Sequence, residues 1–328
     1  MTTSDPIGPL LACALSDSYG AGFEFATAKF IQKHNRVERY IPHPKFNQRP
    51  ATCYTDDTQM ALGLAEHMLS DDKWTPLALA TRWVEGFHRD QRTGYSQHFY
   101  DLLMVTVTGQ ELLASIQPHS AKNGGSMRAF PIGFLTDPEE VRDKAMMQAS
   151  LTHATWGGMS AAAAAALMFH HRYHRLGPKS DLVPFLNKWV PDIDWGVGVK
   201  AQGSPTGGVP TVQKAVAVFL EGHSLTDVLH LAVSLGGDTD TIAAIAAPAA
   251  AVCPETRNAL PPIFHDGLEN GTYGRDYLKG IDERLLVKFP RRDQVPVVRP
   301  PKPPAKSKAR SKVPVAAEDE GPLDFLFE

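Results

Sequence analysis

Thr55-Asp56-Asp57-Thr58-Gln59-Met60-Ala61-Leu62-Gly63-Leu64-Ala65-Glu66-His67-Met68-Leu69 opens with hydroxyls and acids and then settles into a helical period. Met60, Leu64 and Met68 recur four residues apart, with Ala61, Ala65 and Leu69 beside them on one stripe, the signature of a helix with a buried face. The same period returns in Leu225, Val228, Leu231 with Ala232, and Leu235. Between Gly158 and His170 lie the consecutive alanines Ala161 to Ala166; alanine is the best helix former, and its small side chain lets helices approach closely. Thr241–Ala251 is likewise Ala/Ile-rich, with Pro248 expected to kink or stop that helix. Strand-like alternation is nearly absent, Val295–Val298 being its best candidate. The fold class expected is therefore all-α: a compact multi-helix domain over residues 1–290. Lys33–Pro50, Asp90–Gly125 and Pro191–Gly208 read as long loops, which in a compact domain tend to carry function.

Composition agrees. In 328 residues, hydrophobic types make up 43% and charged types 21%, enough apolar material for a sizeable core. From Arg291 onward there are eight Lys/Arg and six Asp/Glu, so the net charge of -3 leaves about -5 on the preceding body. A weakly acidic body has no broad attraction for nucleic acid, so any phosphate it binds must be held locally. Cys13, Cys53 and Cys253 fit no zinc spacing and no disulfide framework, which favours reduced thiols and a cytoplasmic location. No signal peptide or membrane span is expected. Residues 291–328 form a Pro/Lys/Arg-rich tail read as disordered. It ends in the apolar peptide 321–328, where Leu323, Phe325, Leu326 and Phe327 suggest a protein partner or a docking contact with the chain's own domain.

Two acidic helix starts carry the chemistry. One is Thr55-Asp56-Asp57-Thr58; the other is Gly236-Gly237-Asp238-Thr239-Asp240-Thr241. Taken singly, each reads as an ordinary N-cap, with Asp56 and Gln59 resembling a capping box and Gly236-Gly237 ending the preceding helix. Yet a cap needs one acceptor, and each segment supplies two carboxylates and two hydroxyls. No Lys or Arg occurs between Pro50 and Asp72 or between Ala215 and Thr256. Four carboxylates in apolar helices without a local counter-charge require a cation, and an all-oxygen ligand set favours Mg2+, Mn2+ or Ca2+.

With these motifs in hand, the chain resembles the ADP-ribosylglycohydrolases, the family of dinitrogenase reductase-activating glycohydrolase. Both acidic segments look like the family's metal motifs, in the same order. Ser16-Asp17-Ser18-Tyr19-Gly20-Ala21-Gly22-Phe23-Glu24 is similar to its Gly-Asp-Ala-x-Gly segment ending in Glu, Asn123-Gly124-Gly125-Ser126-Met127-Arg128 to its Asn-Gly-x-x-Met-Arg loop, and Thr152-His153 to its Thr-His pair. The resemblance runs from about residue 10 to about residue 245. It implies an all-α fold around two Mg2+ (or Mn2+) ions with Thr55, Asp56, Asp57, Asp238, Asp240 and Thr241 as ligands. In the chemistry so implied an Asp not saturated by metal takes a water's proton, Asp57 or Asp240 being the candidates, and Glu24 is either a water-positioning carboxylate or a solvated surface residue. For substrate binding it implies Asp17, the loop Asn123, Gly124, Gly125, Ser126 and Met127, and His153. The implied activity is hydrolysis of the N- or O-glycosidic bond between ADP-ribose and a modified protein or small-molecule conjugate, with arginine-linked ADP-ribose the first expectation. Tyr95, Phe99 and Tyr100 are candidates for an adenine platform. Ser16, Phe23, Trp156 and Ala246-Ala247-Pro248 depart from the family pattern, which bears on the acceptor side of the pocket. Rival readings are a non-catalytic ADP-ribose-binding module, which would lack the metal ligands, and another two-metal hydrolase such as a phosphatase.

Overall fold

Pro9 begins the first helix, α1 (Pro9–Ala21), at a position where a missing N–H costs nothing and a fixed φ helps. The computed structural model describes residues 6–46, 50–200, 203 and 205–294. After α1 come α2 (Ala28–His34), α3 (Asp56–Leu69), α4 (Pro76–Arg89), α5 (Gln97–Val105), α6 (Gly109–Ser115), the single turn α7 (Gly124–Met127) and α8 (Pro138–Ser150). The second half holds α9 (Trp156–Tyr173), α10 (Leu182–Trp189), α11 (Gly208–Glu221), α12 (Leu225–Ser234), α13 (Thr239–Val252), α14 (Pro262–Gly267) and α15 (Arg275–Lys288). Among the described residues extended pairing is limited to isolated bridges such as His119–His153 and Lys122–Gly207. The architecture is all-α, as the periodicity predicts. No helix of the described residues is long and apolar enough to cross a membrane.

Three helices form the centre. All of α1 is buried, and so is nearly all of α9 and α13. Helices that are apolar on every side belong inside a protein rather than on its surface, and these sequences read that way. The most extensive helix pairing is between α1 and α13. It depends on Gly20: a Cβ there would lie 2.5 Å from Asp240 Cα. Thr239 Oγ1 also donates to the carbonyl of Gly20 at 2.8 Å, closing the end of α1 against the start of α13.

Several local expectations are corrected. Asp90–Gly125 is not one loop, since α5 and α6 lie within it. The signal for α6 is a capping box in which Thr108 accepts from Glu111 N while the Glu111 side chain reaches back. Pro248 does not stop α13, which continues to Val252. Gln59 does not complete a capping box with Asp56. Thr55 is the cap, and Gln59 Nε2 instead donates to the carbonyls of Gly86 and Asp90, tying α3 to the end of α4. Residues 291–294, assigned to the tail by composition, include a 3-10 turn whose Arg292 N–H donates to His174 Nδ1 at 3.2 Å. Val295–Val298 and the apolar peptide 321–328 lie outside the described residues.

The start of α1 is held from far along the chain. No side chain of its own N-cap does this. Instead Asp282 of α15 accepts from Leu10 N–H at 2.8 Å and Leu11 N–H at 2.9 Å. Burial pushes the Asp282 carboxyl up to about 7, against the pull of these two N–H groups. Asp282→Ala should strand two buried donors at the head of the central helix and cost about 2–4 kcal/mol. Asp282→Asn, which keeps one acceptor, should cost less. Denaturant titration of both variants checks this; an unaffected Asp282→Ala would mean that α1 is held by packing alone.

Candidate active site

Asp17, near the end of α1, organises the first acidic segment. Its two oxygens accept four hydrogen bonds: from Thr55 Oγ1 at 2.8 Å, Thr55 N–H at 2.9 Å, Thr58 Oγ1 at 2.6 Å and Thr58 N–H at 3.2 Å. These donors are the hydroxyls and free amides at the start of α3, where the helix dipole favours a negative charge. Both threonines are thereby committed to Asp17, and α3 is set so that Asp56 and Asp57 face outward into a cavity. Asp17 itself is fully buried and does not line that cavity. Resemblance alone suggests a substrate contact for Asp17, whereas the structure sets it beneath the site. Thr55, also buried, accepts from Asp57 N–H at 3.4 Å and stands behind the lining residues.

The second acidic segment arrives by a sharp turn. Gly236 and Gly237 adopt φ values of 65° and 75°, the left-handed region that favours glycine, and so redirect the chain from α12 into α13. Asp238 occupies the N-cap position but makes no cap hydrogen bond. Its carboxylate accepts from Asn123 Nδ2 at 2.8 Å. Simple capping therefore does not account for this aspartate. Thr241 Oγ1 donates to both oxygens of Asp57, at 3.1 and 3.2 Å, which joins the two acidic helix starts directly. Spacing in the sequence could not show that they meet.

The result is a concentration of acid. Ligand oxygens of Asp17, Asp57 and Asp240 lie within 4.8 Å of one another, and so do those of Glu24, Asp238 and Asp240. Asp240 belongs to both groups. Burial first, then Asp56, Asp17 and Asp238, drive the Asp57 carboxyl well above the usual range. Burial, Glu24, Asp238 and Asp57 do the same to Asp240. Such an arrangement fits hard divalent cations, with Asp56, Asp57, Asp238, Asp240 and Thr241 on the cavity wall to hold them. Glu24 reaches the group from the turn after α1, where Phe25, at φ 50°, donates its N–H to Gly237 O at 2.8 Å.

The cavity holds about 320 Å3, within the usual range for small-molecule sites. Another part of its wall is built from α7, which Asn123 joins to Asp238, and the Thr152-His153 pair. Asn123 N–H donates to Thr206 O at 2.9 Å, fixing the turn that leads into Gly124 and Gly125. Gly124 packs under His153, where a Cβ would come within 3.0 Å of the ring. Met127 lines the wall, whereas Ser126 turns back, its hydroxyl donating to Asn123 O at 2.7 Å. Burial, with Arg128 and Lys122 nearby, lowers His153 to about 3, so the ring is neutral. Tyr95 and Phe99 line the cavity, but the Tyr95 hydroxyl is engaged with Gln59 Oε1 at 2.7 Å. Tyr100 is turned onto Phe87 instead.

Sequence reasoning passed over Arg128, Lys122, Gln117, His98 and Phe25 as cavity residues. Only Arg128 lay within a quoted motif. Periodicity carries no signal for the rest.

Relieving the acid repulsion has a measurable consequence. In chelator, Asp57→Asn and Asp240→Asn should each match or exceed the wild-type chain in stability, by on the order of 1–3 kcal/mol, because a buried repelled carboxylate becomes a neutral amide. Added Mg2+ or Mn2+ should raise the thermal midpoint of the wild type more than that of either variant. Clear destabilisation of both variants in chelator would assign these aspartates a structural role.

The comparisons with known proteins agree with this geometry. Residues 6–294 match the family model of ADP-ribosylglycohydrolase. ADP-ribosylhydrolase ARH3 of Bos taurus is 28% identical over 180 residues, covering 50% of this chain and 48% of that protein, so the chain spans about half the length of that relative. ARH3 of Xenopus tropicalis is 25% identical over 306 residues, covering 73% of this chain and 84% of that protein. A solved structure described as an ADP-ribosylglycohydrolase-related protein complex superposes with a TM-score of 0.65 at 21% identity, covering 85% of this chain and 96% of that one, which shows the shared fold. The chain belongs to the ADP-ribosylglycohydrolase family.

Proposed function

We propose that this chain is a metal-dependent hydrolase that cleaves the glycosidic bond between ADP-ribose and a modified target. The observation that carries the reading is the mixed acidic and basic lining of a single cavity. One end gathers Glu24, Asp56, Asp57, Asp238 and Asp240 on its wall, with Asp17 behind them. The same wall carries Lys122, a glycine turn and a neutral histidine, with the buried Arg128 bonded to Thr152 next to that histidine. A ligand with hydroxyls at one end and a diphosphate at the other suits such a cavity.

When bound, two Mg2+ or Mn2+ ions would polarise ribose hydroxyls and a water. The chain's own residues supply the rest. Asp56, Asp57, Asp238, Asp240 and Thr241 would provide the oxygens to hold the cations, while Asp17 keeps α3 in register beneath them. Hydrolysis requires a water oxygen to bond to the anomeric carbon of the distal ribose as the bond to the target breaks. Asp57 or Asp240 would take the water's proton on a carboxylate oxygen, with Glu24 orienting that water. The leaving group departs with the bonding electron pair and acquires a proton.

Charge favours arginine-linked ADP-ribose. Six carboxylates, Asp17 included, gather at the acidic part of the site, and two divalent cations would offset four of those charges. The remaining negative charge suits a guanidinium leaving group over a neutral hydroxyl.

Chelation should abolish turnover, and Mg2+ or Mn2+ should restore it; full activity after thorough demetallation would refute the metal dependence. Side-by-side hydrolysis of arginine- and serine-linked substrates should favour arginine. A clear serine preference would reject the charge argument while leaving the hydrolase reading in place.

A further inference from the structure

Arg128 is a buried cation within electrostatic reach of Asp56. It is 1% exposed, and no ion pair joins it to a carboxylate among the described residues. Its guanidinium lies over the Trp83 ring, 4.2 Å from the centroid, and Nε donates to Gln148 Oε1 at 2.7 Å. Burial lowers it to about 9, so it is still charged at neutral pH. Placing such a charge in a core is costly unless it serves something. What it reaches is Thr152: Nη2 donates to Thr152 Oγ1 at 2.7 Å. Thr152 Oγ1 in turn stands 2.6 Å from His153 Nδ1.

Proton counting gives this chain a direction. A hydroxyl has one proton and two lone pairs. The Arg128 bond uses a lone pair of Thr152 Oγ1. Were Nδ1 protonated, the hydroxyl would accept twice and its own proton would be left with Ala149 O at 3.5 Å, too long for a good bond. With the hydroxyl donating to Nδ1, both short contacts are satisfied and the imidazole proton sits on Nε2. The ring lines the cavity, and Nε2, on the edge beside Gly124, is the nitrogen that Thr152 does not engage.

Resting on the proposed function, we infer that Arg128 and Thr152 are positioning residues that hold His153 as the Nε2–H tautomer, a fixed neutral donor aimed at an oxygen of the ADP-ribose moiety. An acceptor at Nε2 would meet substrate oxygens with a lone pair and repel them. Arg128 thereby acts on ligand recognition without touching the ligand.

Thr152→Val and Thr152→Ser separate this role from packing. Nitrogen NMR of the unliganded protein, with the His153 signals assigned by comparison with His153→Gln, reads the tautomer. Binding of free ADP-ribose is measured by calorimetry in the same buffer with Mg2+. The wild type and Thr152→Ser should show Nε2–H and equal affinity. Thr152→Val should show a mixed or Nδ1–H ring and bind about tenfold more weakly, one hydrogen bond's worth, measured well below its own thermal midpoint, which loss of the Arg128 acceptor lowers. Arg128→Lys should shift the tautomer in the same direction. An Nδ1–H ring in the wild type, or a Thr152→Val protein that keeps both tautomer and affinity, would overturn the inference. A wild-type protein with the expected tautomer but no affinity for ADP-ribose would instead overturn the reading of the site.

Discussion

Asp17 is the joint on which the site depends. A carboxylate that accepts four hydrogen bonds from one helix start fixes that helix in both position and rotation. It does so from α1, which is itself located at both ends: Asp282 holds its first turn, and Thr239 and the close approach at Gly20 hold its last. Helix α1 therefore works as a ruler. It sets α3 on one side and α13 on the other, and the two pairs of cavity-facing acids meet because their helices share that support. Loop flexibility could not bring buried like charges together; rigid helix starts can, since their N–H groups and dipoles offset part of the charge.

This arrangement sets stability against function. Asp57 and Asp240 are buried beside other acids, a situation most proteins avoid. The large apolar centre formed by α1, α9 and α13 tolerates the cost. Local strain follows the same pattern. Phe25 at positive φ, where a bulky residue is disfavoured, follows Glu24 directly, and the two glycines with positive φ precede Asp238. Unfavourable backbone thus flanks the carboxylates that need unusual placement, although Val37, Arg175 and Asp192 also adopt positive φ away from the site.

Much of this was legible in the sequence. Helical period identified the fold class because buried helices write their faces in apolar residues, and Met60, Leu64 and Met68 are all buried as that period requires. The acidic segments stood out because their charge lacked local compensation. What the sequence hid were relations between distant elements. Thr241 and Asp57 are 184 positions apart, and Asp282 reaches Leu10 across 272. No periodicity encodes such pairs. Capping chemistry was misjudged where a side chain had better partners, as with Gln59, whose amide goes to α4 and Tyr95. The α5 and α6 region reads as a loop because those helices are short and present few buried residues, Leu103 in one and Gly109 and Leu112 in the other.

The two ends of the cavity also differ in how they are held. Hydrogen-bonded carboxylates and helix starts frame the acid end, so its geometry is tied to the core. The other end hangs on a shorter chain of contacts: Gln148 donates to Gly125 O at 2.7 Å and accepts from Arg128, which reaches Thr152 and then His153. Gln148 lies on α8, so α8 locates both the glycine turn and the histidine through one amide. Its carbonyl binds the guanidinium and its NH2 binds the turn, a polarity that an isosteric carboxylate could not reproduce. A glutamate there would pair with Arg128 but lose the donor to Gly125 O, freeing the turn on which a diphosphate would rest. A neutral amide beside an unpaired buried arginine is thus the arrangement that keeps both walls of this end in place.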